Sequence, residues 1–229
     1  MLECSGINTF YGPAHVLFDI DLQVKPGQMV CVIGRNGVGK STTLKSIMGL
    51  APIASGSVTF EGTEISAWPP YRIARAGIGY VPEDRRVFAD LTVQENLEVA
   101  ARGGAPWSLQ SVYQLFPPLL EFRHRRGGLL SGGQQQMLTI ARTLVGNPRL
   151  LLIDEPTEGL SPIVVRTLED MIRSLKAKGQ TMLLASQDLR FSLGVADVIH
   201  VLDRGRVIYH APREQAQQES GRIRAMLSV

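Results

Sequence analysis

Cysteine is nearly absent from the 229 residues: Cys4 and Cys31 are the two that occur. They sit in apolar, strand-like surroundings, show no metal spacing and form no disulfide framework, which suits a reducing compartment. Histidine is also sparse, and the four residues His15, His124, His200 and His210 read as surface or packing residues. No stretch approaches the roughly 20 apolar residues that a membrane span needs. The longest uncharged runs, such as Gly103 to Leu120, contain Pro106, Pro117 and Pro118 among several polar residues. The start, Met1-Leu2-Glu3-Cys4, lacks the basic and apolar regions of a signal peptide, so a soluble, cytoplasmic chain is expected. The absence of a sizeable tail beyond Val229 argues against an appended regulatory domain. Charge of one sign is also lacking. Lys and Arg number 24 against 21 Asp and Glu, a net +3 that does not argue for a nucleic-acid binder. The dense basic runs are Arg85-Arg86 and Arg123-His124-Arg125-Arg126, and the second reads as a solvated face.

What is present is an ordinary globular balance, 44% hydrophobic and 20% charged, enough for a sizeable core. No internal repeat or long linker divides the chain, so residues 1–229 read as one domain. Phe18, Ile20, Leu22 and Val24 alternate with Asp19, Asp21 and Gln23, the period of a half-buried strand. After a Pro26-Gly27 turn, Met29 to Ile33 is continuously apolar, as in a strand buried on both faces. Further strands are expected at 58–60, 78–81, 150–153, 181–185 and 198–202. A helix is expected from Ser161 to Lys176, with Ser161 as N-cap and Pro162 at the first helical position. From about Leu91 to Val145 the pattern is mostly helical, broken at Gly103-Gly104 and Pro117-Pro118. Strands alternating with helices around one helical insert give an α/β core carrying a helical lobe.

Two motifs carry chemistry. Gly34-Arg35-Asn36-Gly37-Val38-Gly39-Lys40-Ser41 is a complete G-x4-G-K-S run between a strand and a helix, with Thr42 following. Its glycines allow backbone N–H groups to converge on phosphate oxygens, aided by the positive end of the helix. Lys40 would reach the β- and γ-phosphates of a nucleotide and the Ser41 hydroxyl would ligate Mg²⁺. Leu150 to Ile153 then delivers Asp154 and Glu155 at the carboxyl end of a buried strand, where ligands of such sheets collect. Asp154 would hold Mg²⁺ through water, and Glu155 would polarise the attacking water as general base.

Between these sites, ninety residues beyond Ser41, lies Leu130-Ser131-Gly132-Gly133-Gln134-Gln135. With this turn in that position, the whole chain resembles the ATP-binding-cassette ATPases. The resemblance implies a P-loop core with a mixed sheet, an antiparallel N-terminal β subdomain and an inserted helical subdomain at roughly 88–145. It implies that Ser131, Gly132, Gly133 and Gln134 bind the γ-phosphate held by a second cassette, so that two cassettes close around two ATP molecules. Tyr11-Gly12 matches the position whose ring stacks on adenine. Glu83 stands where the family has glutamine, with an oxygen able to approach Mg²⁺ or water. Gln187 stands where most members have histidine; its amide can bond a phosphate but does not titrate between pH 5 and 8. Ser161 falls where many members have Asp.

The run from Val81 to Leu97, and Gln187, look like the shorter ATPase subunit of high-affinity branched-chain amino-acid importers. Urea and short-amide importers carry near-identical subunits, and short lipid or polysaccharide exporter cassettes stay open. The implied partners are a second cassette, two integral-membrane permeases and, indirectly, a solute-binding protein, with the chain peripheral on the inner face of the membrane. Arg85, Arg86, Phe88 and Leu91 fall where such a family receives a permease helix. Trp68 and Trp107 are expected to pack within the lobe. A DNA-repair cassette needs coiled coils for which ninety residues leave no room, and translation cassettes carry two copies per chain.

Overall fold

A computed structural model describes residues 1–102 and 106–228; the expected break at Gly103-Gly104 lies outside the described residues. The chain runs β1 (Leu2–Tyr11), β2 (Ala14–Val24), β3 (Met29–Ile33), α1 (Lys40–Ile47), β4 (Ile53–Phe60), β5 (Thr63–Glu64), α2 (Pro70–Arg75) and β6 (Ile78–Val81). Among the described residues four α-helices follow, α3 (Val93–Glu98), α4 (Leu109–Leu115), α5 (Pro117–Glu121) and α6 (Gly132–Val145), with a short 3-10 turn at Gly127–Leu129 before α6. Then come β7 (Leu150–Asp154), α7 (Pro162–Ala177), β8 (Thr181–Ser186), α8 (Leu189–Val195), β9 (Val198–Asp203), β10 (Arg206–Pro212), α9 (Arg213–Gln218) and α10 (Ser220–Ser228).

Two sheets result. One is antiparallel, in the order β2-β1-β4-β5. The other is six-stranded, β10-β9-β3-β8-β7-β6, parallel apart from the antiparallel β10 at its edge. Its inner strands explain their continuous apolar sequence. Met29, Cys31 and Ile33 enter one core with Leu151, Ile153, Met182 and Leu184, while Val30 and Val32 enter the other with Leu150, Leu152 and Leu183. Both faces are covered, by α3–α8 on one side and by α1 with the antiparallel sheet on the other. Each such side chain contributes about 1.5–3 kcal/mol by leaving water. The buried thiols of Cys4 and Cys31 are pushed up to about 12 by desolvation and are inert packing groups.

Register fixes the site. Ile33 pairs with Ser186, Asp154 with Ala185, and Ile153 with Val81. The segments that follow β3, β8, β7 and β6 therefore leave the sheet at one edge.

Caps set the helix starts. At α3 the Thr92 hydroxyl accepts from the Glu95 amide while Glu95 accepts from the Thr92 amide. Ser131 and Gln134 make the same reciprocal pair at α6. Ser161 does occupy the N-cap of α7, but its side chain makes no capping bond, and Pro162 sets the start instead.

The two tryptophans part company. Trp107 is 3% exposed and packs with Val112, Phe116 and Leu119 of the helical stretch, as expected. Trp68 instead packs against the core beneath the antiparallel sheet, under the Arg72 guanidinium, just before the Pro69-Pro70 start of α2. Trp107 Nε1 donates at 3.0 Å to Gln180 Oε1, whose amide in turn donates to the Pro148 and Thr181 carbonyls. Trp107→Phe leaves that oxygen buried without its donor. The expected loss is about 1–3 kcal/mol, read as a lower urea midpoint at unchanged m.

Candidate functional site

The loop Gly34–Gly39 turns off the buried end of β3 and enters α1 through Gly39. Its φ of 111° is left-handed, and a Cβ there would come within 2.7 Å of Leu17 Cδ2. Val38 packs back on the core, and its carbonyl accepts from the Gly205 amide, so the loop is anchored from β2 and the β9–β10 turn. A cavity of about 270 Å³ remains, lined by Asn36, Gly37, Gly39, Lys40, Ser41, Thr42, Glu83 and Glu155. The arrangement presents loop amides, a helix start and one lysine to a phosphate-sized anion.

The polar groups of this cavity hold one another. Lys40 Nζ donates at 2.9 Å to the carbonyls of Gly34 and Arg35 and lies 2.9 Å from Glu155 Oε1, both side chains being 4% exposed. Glu155 Oε2 accepts the Gln187 amide at 3.1 Å. The Glu155 backbone sits at φ 42°, an uncommon value for a non-glycine, and its own amide is tied to the Ala185 carbonyl. Burial pushes the Glu155 carboxyl above the usual range; the Lys40 ammonium opposes this.

Asp154 is buried and bonded at both oxygens. Ser41 Oγ donates to Oδ1 at 2.9 Å and the Tyr80 hydroxyl donates to Oδ2 at 3.0 Å. Desolvation raises its pKa, with those two hydrogen bonds working against the shift. The Tyr80 phenol is driven far up by burial and then by the Asp154 carboxylate, so it stays a donor. In sequence alone Tyr80 reads as an ordinary strand residue. Its signal is positional: it pairs with Leu152, two residues before Asp154.

Other expected residues fall as follows. Glu83 lines the cavity at an exposed position, lifted by desolvation and then by the neighbouring Glu158 carboxylate. Gln187 is exposed, and it is its backbone amide that donates to Glu155. Tyr11 is 46% exposed at the β1–β2 hairpin, and neither it nor the 131–134 turn lines the cavity. Phe88 is exposed under the Arg142 guanidinium, whereas Arg85 is half-buried and donates to the Glu158 carbonyl. The Arg123 to Arg126 run is exposed. His200 is buried, and desolvation lowers its pKa to about 4; its ring stacks on His210, away from the loop.

Parallel strands with a phosphate loop after β3 and an Asp-Glu pair at the carboxyl end of β7 define a P-loop ATPase. Residues 17–158 match the family model described as ABC transporter, and the chain belongs to that family as an ATP-hydrolysing cassette. Among its relatives is the high-affinity branched-chain amino acid transport ATP-binding protein BraG of Pseudomonas aeruginosa, 41% identical over 92% of both chains. The probable branched-chain amino acid transport ATP-binding protein LivF of Archaeoglobus fulgidus is 40% identical over 92% of this chain and 91% of its own. The lipopolysaccharide export system ATP-binding protein LptB of Escherichia coli K12 is 32% identical over 95% and 93%. A crystal structure of an ATP-binding cassette of an ABC transporter in its ADP conformation superposes with a TM-score of 0.82. That cassette is 27% identical, over 96% of this chain and 93% of its own.

Lys40→Met strands the buried Glu155 carboxylate without its counter-charge. Without nucleotide at pH 7 the variant should lose about 3 kcal/mol, and adding Glu155→Gln should recover most of it. Urea denaturation of the parent, both singles and the double closes the cycle.

Proposed function

We propose that this chain is the ATPase subunit of a membrane importer for branched-chain or other hydrophobic amino acids. The observation that carries the solute class is the likeness to BraG and LivF at 41% and 40% identity, against 32% for LptB. LptB keeps a lipid-exporter reading open as the second choice, and urea or short-amide importers are the nearest alternative solutes. In this reading residues 1–229 work as one nucleotide-binding domain with a helical subdomain at roughly 88–145. The chain pairs with a second cassette and docks beneath two permeases, with a solute-binding protein acting indirectly. No described helix is long and apolar enough to cross a membrane, and the chain sits peripherally on the inner face.

ATP enters along the loop 34–42, with its adenine on Tyr11 and its phosphates on the loop amides. Lys40 leaves its carbonyl partners for the phosphate oxygens, which frees Glu155 of its counter-ion. Glu155, held by the Gln187 amide, then accepts the proton of the attacking water. Gln187 Nε2 donates to the γ-phosphate without carrying a proton. Ser131, Gly132, Gly133 and Gln134 complete the site on the opposite cassette.

The donor set fits Mg²⁺. Ser41 Oγ and Asp154 Oδ1, two hard oxygens, lie 2.9 Å apart at the cavity, with Glu83 on its wall. Among the described residues no three His, Cys, Asp or Glu side chains converge as a metal cage, consistent with an ion held by few protein oxygens and by phosphates. When bound, Mg²⁺ supplies charge neutralisation at the β- and γ-phosphates.

Glu155→Gln should retain ATP and lose about 10²–10⁴-fold in turnover. Because the base works ionised and burial raises its pKa, the parent's rate should fall on acidification at a pH above the ordinary Glu value of about 4.3. Phosphate release followed across pH at saturating MgATP checks both; parent-like turnover in Glu155→Gln would remove the assigned base.

The solute reading is tested on complexes from gently solubilised host membranes. Two polytopic permeases and a second cassette should co-purify. In proteoliposomes with the cognate binding protein, leucine, isoleucine or valine should stimulate ATP hydrolysis. Stimulation by urea or short amides alone would reassign the solute, and recovery with a lipid-export assembly would reassign the system.

A further inference from the structure

We infer that Arg85 is a positioning residue that ties the segment after β6 to both the start of α6 and the segment after Glu155. Three observations meet at this residue. Its Nη2 donates at 2.7 Å to the Glu158 carbonyl, three residues beyond Glu155. Its guanidinium lies over Gly132, the first residue of α6, where a Cβ would come within 2.5 Å of Nη1. Its own carbonyl accepts the Thr139 hydroxyl at 2.5 Å, two turns further along α6.

The backbone at Arg85 is left-handed, at φ 56°. Arginine has no local advantage there, and glycine would adopt that conformation more freely. The surrounding contacts therefore hold the residue against its own preference. What the conformation achieves is a reversal of direction: the carbonyl faces α6 while the side chain reaches across the α6 start to the 155–160 segment. Neighbouring Arg86 pairs with Asp84 on the surface. The absence of a side chain at Gly132 is what lets the guanidinium lie over the helix start.

The consequence concerns geometry rather than chemistry. Arg85 does not itself line the phosphate cavity. It acts through the Glu158 carbonyl, and so through the short stretch of backbone that carries Glu155. A shift of the 82–86 segment is passed at once to the α6 start and to the base. This role rests on the proposed assignment of Glu155 and of the 131–134 turn.

The test compares Arg85→Gly, Arg85→Lys and Glu155→Gln in the assembled, membrane-reconstituted complex. Arg85→Gly removes the side chain while suiting the left-handed backbone, so its urea midpoint, measured on the purified chain, should stay near the parent's. Its kcat should drop roughly ten- to a hundred-fold, with KM for MgATP changed by less than about two-fold. Arg85→Lys keeps one donor for the Glu158 carbonyl and should recover much of the rate. Parent-like kcat in Arg85→Gly, or a loss confined to KM, overturns the inference. Glu155→Gln separates the two failures: if it is inactive while Arg85→Gly turns over normally, only the role of Arg85 falls. If Glu155→Gln itself turns over normally, the site assignment falls instead.

Discussion

The shared register of four parallel strands is the constraint from which the rest follows. β3, β8, β7 and β6 feed side chains to cores on both faces, so a slip of one residue would exchange every side chain between the two. Fixed in that way, the strands end in one row, with Ile33 beside Ser186 and Ala185 beside Asp154. The phosphate loop, Glu155, Gln187 and Glu83 lie far apart along the chain and become neighbours only through this packing. Apolar side chains that lie outside the cavity thus set its geometry.

The buried charged groups at the cavity are partnered by one another and by their neighbours. Lys40 has two carbonyls and a carboxylate, Asp154 has two hydroxyl donors, and Glu155 has a lysine and an amide. Such satisfaction keeps buried charges tolerable. In the proposed reading an entering phosphate competes with these existing partners, so affinity reflects exchange of contacts and not their simple addition.

Legibility in the sequence tracks the locality of the physics. The phosphate loop, the Asp154-Glu155 pair and the apolar strands are readable because each is a contiguous pattern. β1 is harder: Gly6 sits at an irregularity between Cys4 and Ile7, and the alternation of Leu2 and Cys4 changes phase there. β10 carries exposed Ile208 and no clear apolar period, and α2 is six residues started by prolines. Tyr80 and Arg85 do not announce themselves as site neighbours because their partners lie 74 and 73 residues away. Trp68 reads as part of the helical lobe for the same reason: sequence records that it is apolar, not which sheet face lies opposite.

The two tryptophans give the molecule an optical consequence. Trp107 is enclosed where the helical stretch meets the base of the large sheet, and its indole N–H is tied to Gln180. Trp68 lies half-buried on the far side of that sheet beneath a guanidinium. One indole therefore senses the joint between helices and sheet, while the other stands on the opposite layer as an internal reference. Movement at that joint would be written into the emission of Trp107, with no label added.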